Sequence, residues 1–494
     1  MRLLIKACSL ILDLNEPRGV RSDESILIEG NRIIAVGTIP ADTPVDFVID
    51  GQQRFAIPGL INAHTHSPEN YVRATAEGLP LEPWLALLYG ISEPYSPRDH
   101  YLCCLLGAIE MLLSGVTSVL DHFWMVPAPT LDALDAGMHA YRDVGMRAGI
   151  APLFRDAMYD VEAGEALGFH LQETFYGRLN DALPKVPEMI ALQDEFFRRW
   201  HGAEGGRLSC YTGPSGTQWA SDDLLIESMA QARRHGGGLH MHLSETRLQD
   251  WAQRQRFGKT PVAWLAEHDL LGPDVSLAHS VWITDRDVQT IAEHGACVVH
   301  NPAANLKLGS GLAPIRKLID AGATVAIGAD GSASSDNQVL FEAMRLAALI
   351  HNPREDDSTR WITARDVVRM ATDGGACVLL HPNDLGKIAV GHLADITLLD
   401  LSAPNLTPLN DPLKHLAYCE TGASVHTVIV DGAIVVDARQ LTTINVPDIL
   451  AEISDRAAHR LHHKPVTPEV LEAVARFSAF QQHIMKTTTF ENSL

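Results

Sequence analysis

The sequence predicts an α/β protein: a (β/α)8 TIM-like, metal-dependent barrel with a small β-sandwich built from both chain ends. Eight apolar segments of strand length alternate with helical patterns through the middle of the chain. This order is typical of a barrel whose active site lies at the carboxyl ends of its strands. Short strands with frequent turn signals occur at the two chain ends instead. The predicted barrel strands are 57–63, 116–121, 147–153, 207–212, 238–243, 275–279, 296–299 and 323–328.

Three of the intervening helices have clear start signals. Ser96, followed by a proline, is predicted to begin a helix that Gly115 ends, with apolar residues at helical spacing between them. Ser221 and Thr284 are candidate N-caps of two further helices. The segment 156–206 is longer than an ordinary strand-to-helix connection. It is either a loop over the pocket mouth that helps to choose substrate or a surface decoration.

Similar blocks of short strands at the two chain ends suggest a division into domains. Residues 1–57 include LLIKACSLIL, SILIEG and RIIAVG, and residues 386–445 include ADITLLDL and TVIVDG. We expect these two blocks to form the N-terminal and C-terminal parts of one β-sandwich. Residues 58–385 are predicted to form the catalytic barrel. Residues 446–494 are predicted to form a charged, helical C-terminal extension.

Composition excludes several classes of function. The net charge of −22 argues against nucleic-acid ligands, because phosphate contacts need a basic face. No apolar run approaches the ~20 residues of a membrane span. Lys6 interrupts the apolar N-terminus, which is therefore predicted to be a strand and not a signal peptide. Seven cysteines without a C-x-x-C pair indicate reduced thiols, so we expect a cytoplasmic enzyme. We further expect a homodimer or homotetramer.

Five side chains of the metal-binding types stand at the ends of predicted strands. His64 and His66 lie in INAHTH, His242 in HMHLSE, His279 in LAHSV, and Asp330 in GADGS. Any one of these histidines alone could be a hydrogen-bonded core residue. Imidazole and carboxylate together bind borderline divalent ions without any thiolate. Five such side chains at strand ends therefore predict a catalytic metal site.

These blocks resemble the amidohydrolase superfamily. The closer resemblance is to its hydrolytic deaminase and chlorohydrolase branch, which includes S-adenosylhomocysteine and guanine deaminases and the triazine and hydroxyatrazine hydrolases. PGLINAHTH, HMHLSET, LAHSVW, HNPAANLKLGSG and GADGSASSDN occur in the family order over nearly the whole chain. The resemblance implies a barrel with a split β-sandwich and a bound divalent cation. The ligands that it implies in this chain are His64, His66, His242 and Asp330.

The resemblance also indicates how many ions the site holds. Family members with two metals add a carboxylated lysine or a glutamate from the fourth strand, and the fourth strand here, RLSCYTGPS, has neither. We therefore expect one divalent ion, Zn²⁺ or else Fe²⁺. His240 competes with His242 as a ligand. The family pattern favours His242, because it lies three residues before Glu245.

Three residues are expected to be catalytic. A bound divalent ion lowers the pKa of water towards ~7. Glu245 is expected to protonate a ring nitrogen as the hydroxide adds to the adjacent carbon, and then to help ammonia leave. Its alternative role is that of a helix N-terminal acid stabilised by the helix dipole. By family analogy, His279 hydrogen-bonds the attacking hydroxide, and Asp330 is both a ligand and a proton acceptor.

The substrate-binding residues are less clearly indicated. In LPLEPWL, Glu82 and Trp84 match a pattern in which S-adenosylhomocysteine deaminases bind ribose; the alternative is a helix-opening acid and a packing tryptophan. Those deaminases carry a purine-contacting histidine after the fourth strand. This chain has GPSG there, with Ser215 in the motif, which is closer to the triazine hydrolases. His122 and Ser334 are further candidates, although His122 could be rim packing.

Three functions remain open on the sequence alone. The first is a hydrolytic deaminase of a purine, pterin, pyrimidine or triazine. The second is an amidohydrolase that uses the same site on an amide, urea, alkylamine or chloride. The third is a non-catalytic barrel, against which the intact ligand set and Glu245 argue. Without the purine-contacting histidine, we expect amino-pterins, amino-purines and amino-triazines to be better substrates than adenosine-type nucleosides, and simple amides to be the poorest.

Overall fold

The structure, a computed structural model, describes residues 1–125, 129–461 and 466–488. The strands in these residues are β1 (Arg2–Leu12), β2 (Val20–Glu29), β3 (Arg32–Gly37), β4 (Phe47–Asp50), β5 (Arg54–Pro58), β6 (Leu60–Thr65), β7 (Val116–Phe123), β8 (Arg147–Phe154), β9 (Leu208–Pro214), β10 (Gly238–Leu243), β11 (Val275–His279), β12 (Cys297–His300), β13 (Thr324–Ile327), β14 (Ile396–Asp400), β15 (Val425–Val430), β16 (Ala433–Asp437) and β17 (Gln440–Leu441).

Helices follow most of the barrel strands. They are α1 (Leu81–Ile91), α2 (Pro97–Leu113), α3 (Leu131–Val144), α4 (Tyr159–Ala166), α5 (Val186–Trp200), α6 (Ala203–Gly206), α7 (Asp222–His235), α8 (Arg247–Phe257), α9 (Pro261–Glu267), α10 (Asp285–His294), α11 (Pro302–Lys307), α12 (Ile315–Asp320), α13 (Leu340–Leu349), α14 (Ala364–Arg369), α15 (Gly375–Val378), α16 (Pro412–Tyr418), α17 (Val446–Leu461) and α18 (Pro468–Thr487). Short 3₁₀ turns include Ser67–Val72 directly after β6, and Met370–Gly374 is a π-helical turn.

Strands β6 to β13 form the predicted barrel. They are hydrogen-bonded in chain order, and each neighbouring pair is parallel. The backbone N–H of Asp330, after β13, donates to the carbonyl of His64 in β6 at 2.9 Å, so the last strand returns to the first. The eight-stranded barrel is therefore confirmed. Only the first predicted strand, 57–63, was wrong in extent: its run of apolar residues crosses Gly59, where β5 ends and β6 begins.

The predicted helix starts are confirmed by their caps. The hydroxyl of Ser96 accepts from the backbone N–H of Asp99, whose carboxylate bonds back to Ser96. Ser221 caps α7, and Thr284 caps α10 with the same reciprocal arrangement. Each cap satisfies backbone donors that the first helical turn leaves open. The local sequence thus fixes where these helices begin, and with them the loops at the rim of the barrel.

Strands from both chain ends combine as predicted, but they form one continuous sheet and not two separate layers. The order is β17-β16-β15-β14-β5-β1-β2-β3, and β4 also pairs with β1. The reason is the length of β1, whose register shifts between Ile5 and Cys8: its first half pairs with β4 and its second half with β5. The sheet has its own hydrophobic cluster, which includes Leu3, Ile28 and Ile396.

A buried ion pair joins the barrel to this sheet. Arg147, at the start of β8, is 4% exposed and donates two hydrogen bonds to Asp395, at 2.8 and 3.1 Å. The same guanidinium donates to Asp431 at 2.9 Å. Both carboxylates lie in the C-terminal part of the sheet, beside β14 and β15. The bidentate geometry fixes one orientation of the sheet against the bottom of the barrel.

Replacing Arg147 should therefore destabilise the fold strongly. Arg147→Met leaves Asp395 buried without its cation, and we expect the free energy of unfolding to fall by about 3–5 kcal/mol. Chemical denaturation followed by circular dichroism measures this. Arg2→Met, which breaks the exposed pair with Glu29, is the control and should change little. Equal effects of the two substitutions would contradict the anchoring role of Arg147.

The described part of the C-terminal region is helical. Helix α17 packs on α2, and α18 packs on α1 and α8. Among the described residues, no helix is long and apolar enough to cross a membrane. All seven cysteines lie in described residues and are free thiols, in keeping with the reduced state that their spacing suggests.

Candidate active site

All five metal-type side chains meet at the carboxyl end of the barrel. His64 and His66 end β6, His242 lies near the end of β10, His279 ends β11, and Asp330 follows β13. The Nε2 atoms of His66 and His242 are 3.2 Å apart. Oδ1 of Asp330 lies 3.5 Å from Nε2 of His64 and 3.5 Å from Nε2 of His66. The closed barrel therefore brings together residues that are up to 266 positions apart in the chain, from 64 to 330.

The spacing of these donor atoms fits a divalent cation. Four ligands about 2.0–2.2 Å from a tetrahedral zinc lie ~3.3–3.6 Å from one another, close to the separations observed here. Nε2 of His64 is buried and, within the described residues, has no hydrogen-bond partner. A buried nitrogen of this kind is costly unless something binds it. The donor set thus has the chemistry, the spacing and the open lone pair that a metal ligand requires.

Backbone carbonyls orient two of the imidazoles. Nδ1 of His66 lies 2.6 Å from the carbonyl oxygen of His122, and Nδ1 of His242 lies 2.6 Å from that of Ser215. A carbonyl can only accept, so each Nδ1 carries the hydrogen and each Nε2 keeps its lone pair towards the cluster. His122 and Ser215 therefore act at this site through their backbones, a contribution that side-chain motifs do not reveal.

His240 lies behind His64 and not beside His242. Its Nε2 is 2.7 Å from Nδ1 of His64, and its own Nδ1 is 2.7 Å from the hydroxyl of Ser276. This chain of hydrogen bonds orients His64 in the way that the carbonyls orient the other two rings. Positions 240 and 242 are two apart on β10, so their side chains face the same side of the strand but lie at different depths in the barrel.

A second group of side chains surrounds His279. Its Nε2 lies 3.6 Å from Oδ2 of Asp330 and 3.7 Å from Oε2 of Glu245. Nδ1 of His279 is 2.9 Å from Oδ1 of Asn305, and the hydroxyl of Ser310 donates to Oε1 of Glu245 at 3.2 Å. His279 and Asp330 both have left-handed backbones, with φ of 71° and 66°. Such conformations cost energy in residues with side chains and concentrate at functional sites.

Burial shifts the pKa of several side chains in the cluster. It lowers the pKa of His64 and of His242 well below the usual range, and neighbouring imidazoles lower both further. It raises the pKa of Glu245 well above the usual range, and the nearby charge of Asp330 adds to this. At neutral pH His64 and His242 are therefore neutral, as metal ligands must be, and the Glu245 carboxyl holds a proton that it can donate.

A pocket with about 630 Å³ of empty volume opens above the cluster. Helix α1 forms one wall, and aromatic or aliphatic side chains from other elements form the rest. The apolar lining consists of Leu81, Trp84, Leu85, Leu88, Tyr89, Trp124, Leu153, Tyr176, Trp219 and Leu308.

The predicted substrate-binding residues fall into two groups. Trp84, Ser215 and Ser334 line this pocket, whereas Glu82 and His122 are not among the lining residues. The ring of His122 stacks on that of a cluster histidine, with centroids 4.8 Å apart, and the carboxylate of Glu82 is engaged by protein hydroxyl and amide groups. The second group thus lies beside the pocket and is bonded to the protein.

Sequence reasoning missed two polar residues of the pocket, Glu69 and Arg155. Glu69 lies three residues after His66 and accepts from the backbone N–H of Ala333 at 3.1 Å. Arg155 directly follows β8, so its place at a strand end was the available signal. Its guanidinium lies 4.8 Å from the ring centre of Tyr89. The segment 156–206 also contributes to the pocket, through Tyr176, as the interpretation of a loop at the pocket mouth predicted.

The closed barrel and its imidazole–carboxylate cluster place this chain in the class of amidohydrolase-type barrels. The chain belongs to the Amidohydrolase family, whose profile matches residues 55–435. It is 32% identical over 458 residues to a 5-methylthioadenosine/S-adenosylhomocysteine deaminase of Caldanaerobacter subterraneus, with 92% of this chain and 98% of that protein covered. It is 32% identical over 452 residues to a 5'-deoxyadenosine deaminase of Methanosarcina mazei, with 91% and 96% covered.

A solved structure shows the same architecture. The crystal structure of an atrazine chlorohydrolase from Arthrobacter aurescens, complexed with zinc, superposes with a TM-score of 0.83 at 28% identity. The superposition covers 92% of this chain and all (100%) of that one. The predicted family is therefore confirmed by sequence and by fold.

Proposed function

We propose that this chain is a metal-dependent hydrolytic deaminase of an amino-substituted nitrogen heterocycle of purine, pterin, pyrimidine or triazine type. The observation that carries the proposal is the Glu245 carboxyl, which lies 3.7 Å from Nε2 of His279 beside the donor cluster. Addition of water to a C=N bond needs a proton donor at this place. The names of the relatives, both deaminases, support the same reaction.

For the metal we propose one divalent cation, Zn²⁺ or else Fe²⁺. The zinc in the related chlorohydrolase structure supports this assignment. When bound, such a cation lowers the pKa of a coordinated water towards ~7 and acts as a Lewis acid. Strand β9 offers no lysine or acid to bridge a second ion, and the thiol of Cys210 points to the carbonyl of Phe196. The proposed ligands are His64, His66, His242 and Asp330.

Metal content should separate the ligands from their neighbours. His242→Asn should lose the ion, because it removes a donor, whereas His279→Asn should keep the ion and lose rate. Elemental analysis of protein purified without chelator should give about one ion per wild-type chain. Chelation should abolish turnover, and acid should weaken binding as the histidines protonate. Two tightly held ions per chain, or loss of the ion from His279→Asn, would overturn the assignment.

The side chains then share the proton transfers of deamination. Glu245, protonated because of its burial, donates to the ring nitrogen next to the C–NH₂ carbon. His279 donates its Nδ1 hydrogen to Asn305, so its Nε2 lone pair faces the attacking water and can accept a proton from it. The oxygen of water becomes bonded to carbon, and the proton from Glu245 stays on the ring nitrogen. One proton of water passes through His279 to the amino group, the C–N bond breaks, and ammonia leaves. The second proton of water, released as the product C=O forms, returns Glu245 to its acid form. Asp330, bonded to its own loop through the N–H of Gly331, assists as a proton acceptor.

Glu245→Gln should keep the fold and the metal but lose most of the turnover. The amide is of similar size but cannot deliver a proton, so we expect kcat to fall ~10²-fold or more. Ammonia release measures the loss, with Glu227→Gln, an exposed acid on α7, as the matched control. A Glu245→Gln variant with nearly full activity would show that another group carries the proton.

The relatives' names and the pocket residues both bear on the substrate class. The names of the relatives favour adenosine-type nucleosides. Against this, Ser215 stands where an imidazole would contact a purine, and the Glu82 carboxylate already accepts hydrogen bonds from protein groups. We propose that Trp84, Ser215 and Ser334 contact a compact planar heterocycle. Direct substrate contact by Glu82 and His122 remains a prediction.

A panel of amino-heterocycles tests the substrate class and the reaction together. We expect kcat/KM for ammonia release to rank amino-pterins, amino-purines and amino-triazines above adenosine-type nucleosides, and these above simple amides. Protonation of a ring nitrogen activates its neighbouring carbon, whereas a plain amide gains less from it. Preference for a nucleoside would assign ribose binding to Glu82. Release of an amine, acid or chloride without ammonia would favour the alternative, a hydrolase of another leaving group.

We also propose a cytoplasmic location and assembly as a homodimer or homotetramer. The free thiols support the first. Light scattering of the purified protein measures the second directly. The acidic composition supports the absence of nucleic-acid partners.

A further inference from the structure

Glu82 is a buried carboxylate that the proposed chemistry does not use. It lies in the first turn of α1 and is 1% exposed, and no lysine or arginine of the described residues lies within ion-pair distance of it. Burial raises the pKa of Glu82 to about 8. Its Oε1 accepts from the hydroxyl of Thr246, and its Oε2 accepts from Nε2 of Gln481 at 3.3 Å. These two donors come from segments 164 and 399 residues away.

The first donor leads directly to the proposed proton carrier. Thr246 follows Glu245 in the chain and is the N-cap of α8, where its hydroxyl accepts from the backbone N–H of Gln249 at 3.2 Å. The side chain of Gln249 in turn accepts from the backbone N–H of Glu245 at 2.9 Å. Glu82 therefore bonds to the residue that fixes the start of α8 and, with it, the backbone of Glu245.

The second donor belongs to the C-terminal helix. The buried side chains of α18 recur every three or four residues, and this face packs on α1 and α8. Phe477 meets the pocket residue Tyr176 edge-on, with ring centroids 5.4 Å apart, and Phe480 packs against Phe169 at 5.2 Å. These contacts fix the position of α18 along the axis of α1. They thereby place Gln481 next to Glu82.

We propose that Gln481 is a positioning residue for the catalytic pocket: its side-chain amide holds Glu82, and through Thr246 the C-terminal helix determines where Glu245 stands. The proposal rests on the proposed function in one respect, the role of Glu245 as proton carrier. A buried carboxyl group that loses one of its two donors turns towards the remaining donor. This turn alters its bond to Thr246, and small displacements of a catalytic group lower the rate.

The test compares neighbouring glutamines of α18. Gln481→Met keeps the length of the side chain and removes the donor, and Gln482→Met makes the same change at an exposed position. For the best substrate of the panel we expect Gln481→Met to lower kcat about 10-fold with KM nearly constant. Metal content should be unchanged. Hydrogen–deuterium exchange should become faster at residues 244–250 in Gln481→Met and stay at the wild-type rate in Gln482→Met.

Variants that reverse the hydrogen bond between Glu82 and Gln481 distinguish a positioning role of Gln481 from a general loss of stability. Gln481→Glu alone sets two carboxylates against each other and should lose activity. The double variant Glu82→Gln/Gln481→Glu exchanges donor and acceptor and should recover most of the kcat and the slow exchange. Equal behaviour of Gln481→Met and Gln482→Met, or no recovery in the double variant, overturns the proposal. If the wild type releases no ammonia from any panel compound, the proposed function fails, and the exchange comparison alone decides the role of Gln481.

Discussion

The rest of this structure depends on one constraint, which is that several titratable side chains are buried close together at the carboxyl end of the barrel. Imidazoles from three strands lie beside two carboxyl groups, and burial disfavours the charged forms of His64, His242 and Glu245. Such groups would move apart in a flexible chain. The closed barrel prevents this, because β6 is bonded to the loop after β13. Carbonyls and hydroxyls behind the rings then fix their rotation, so the lone pairs converge at one point.

Because the closed barrel determines where the cluster lies, much of the site could be predicted from the sequence. Barrel strands are buried on both faces and therefore stand out as short apolar runs. A polar side chain at the end of such a run must face the centre of the same rim. His64, His242 and Asp330 could thus be placed together before any distance was known. The helix starts at Ser96 and Thr284 could also be predicted, because a capping motif involves only residues within four positions of one another.

The remaining features depend on partners that are distant in the chain. The pairing of β1 with both β4 and β5 follows from a register shift that no alternation pattern shows. The bond between Arg147 and Asp395 joins residues 248 positions apart, and nothing near either one specifies the other. Glu82 illustrates the same point within the pocket. Its motif predicted a ligand for substrate, whereas its observed partners come from α18 and from the cap of α8.

Features that the local sequence determines and features that depend on distant partners serve different functions in the pocket. The donor cluster lies on strand ends, whose positions the barrel fixes. The opposite wall is built from α1, from the segment that carries Tyr176, and from the loop after β7 that carries Trp124. Tyr89 of α1 meets the rings of both Trp124 and Tyr176, and α1 and Tyr176 also contact α18. Substrate preference can therefore change without disturbing the cluster. The names of similar proteins, a 5-methylthioadenosine/S-adenosylhomocysteine deaminase and an atrazine chlorohydrolase, agree with this division.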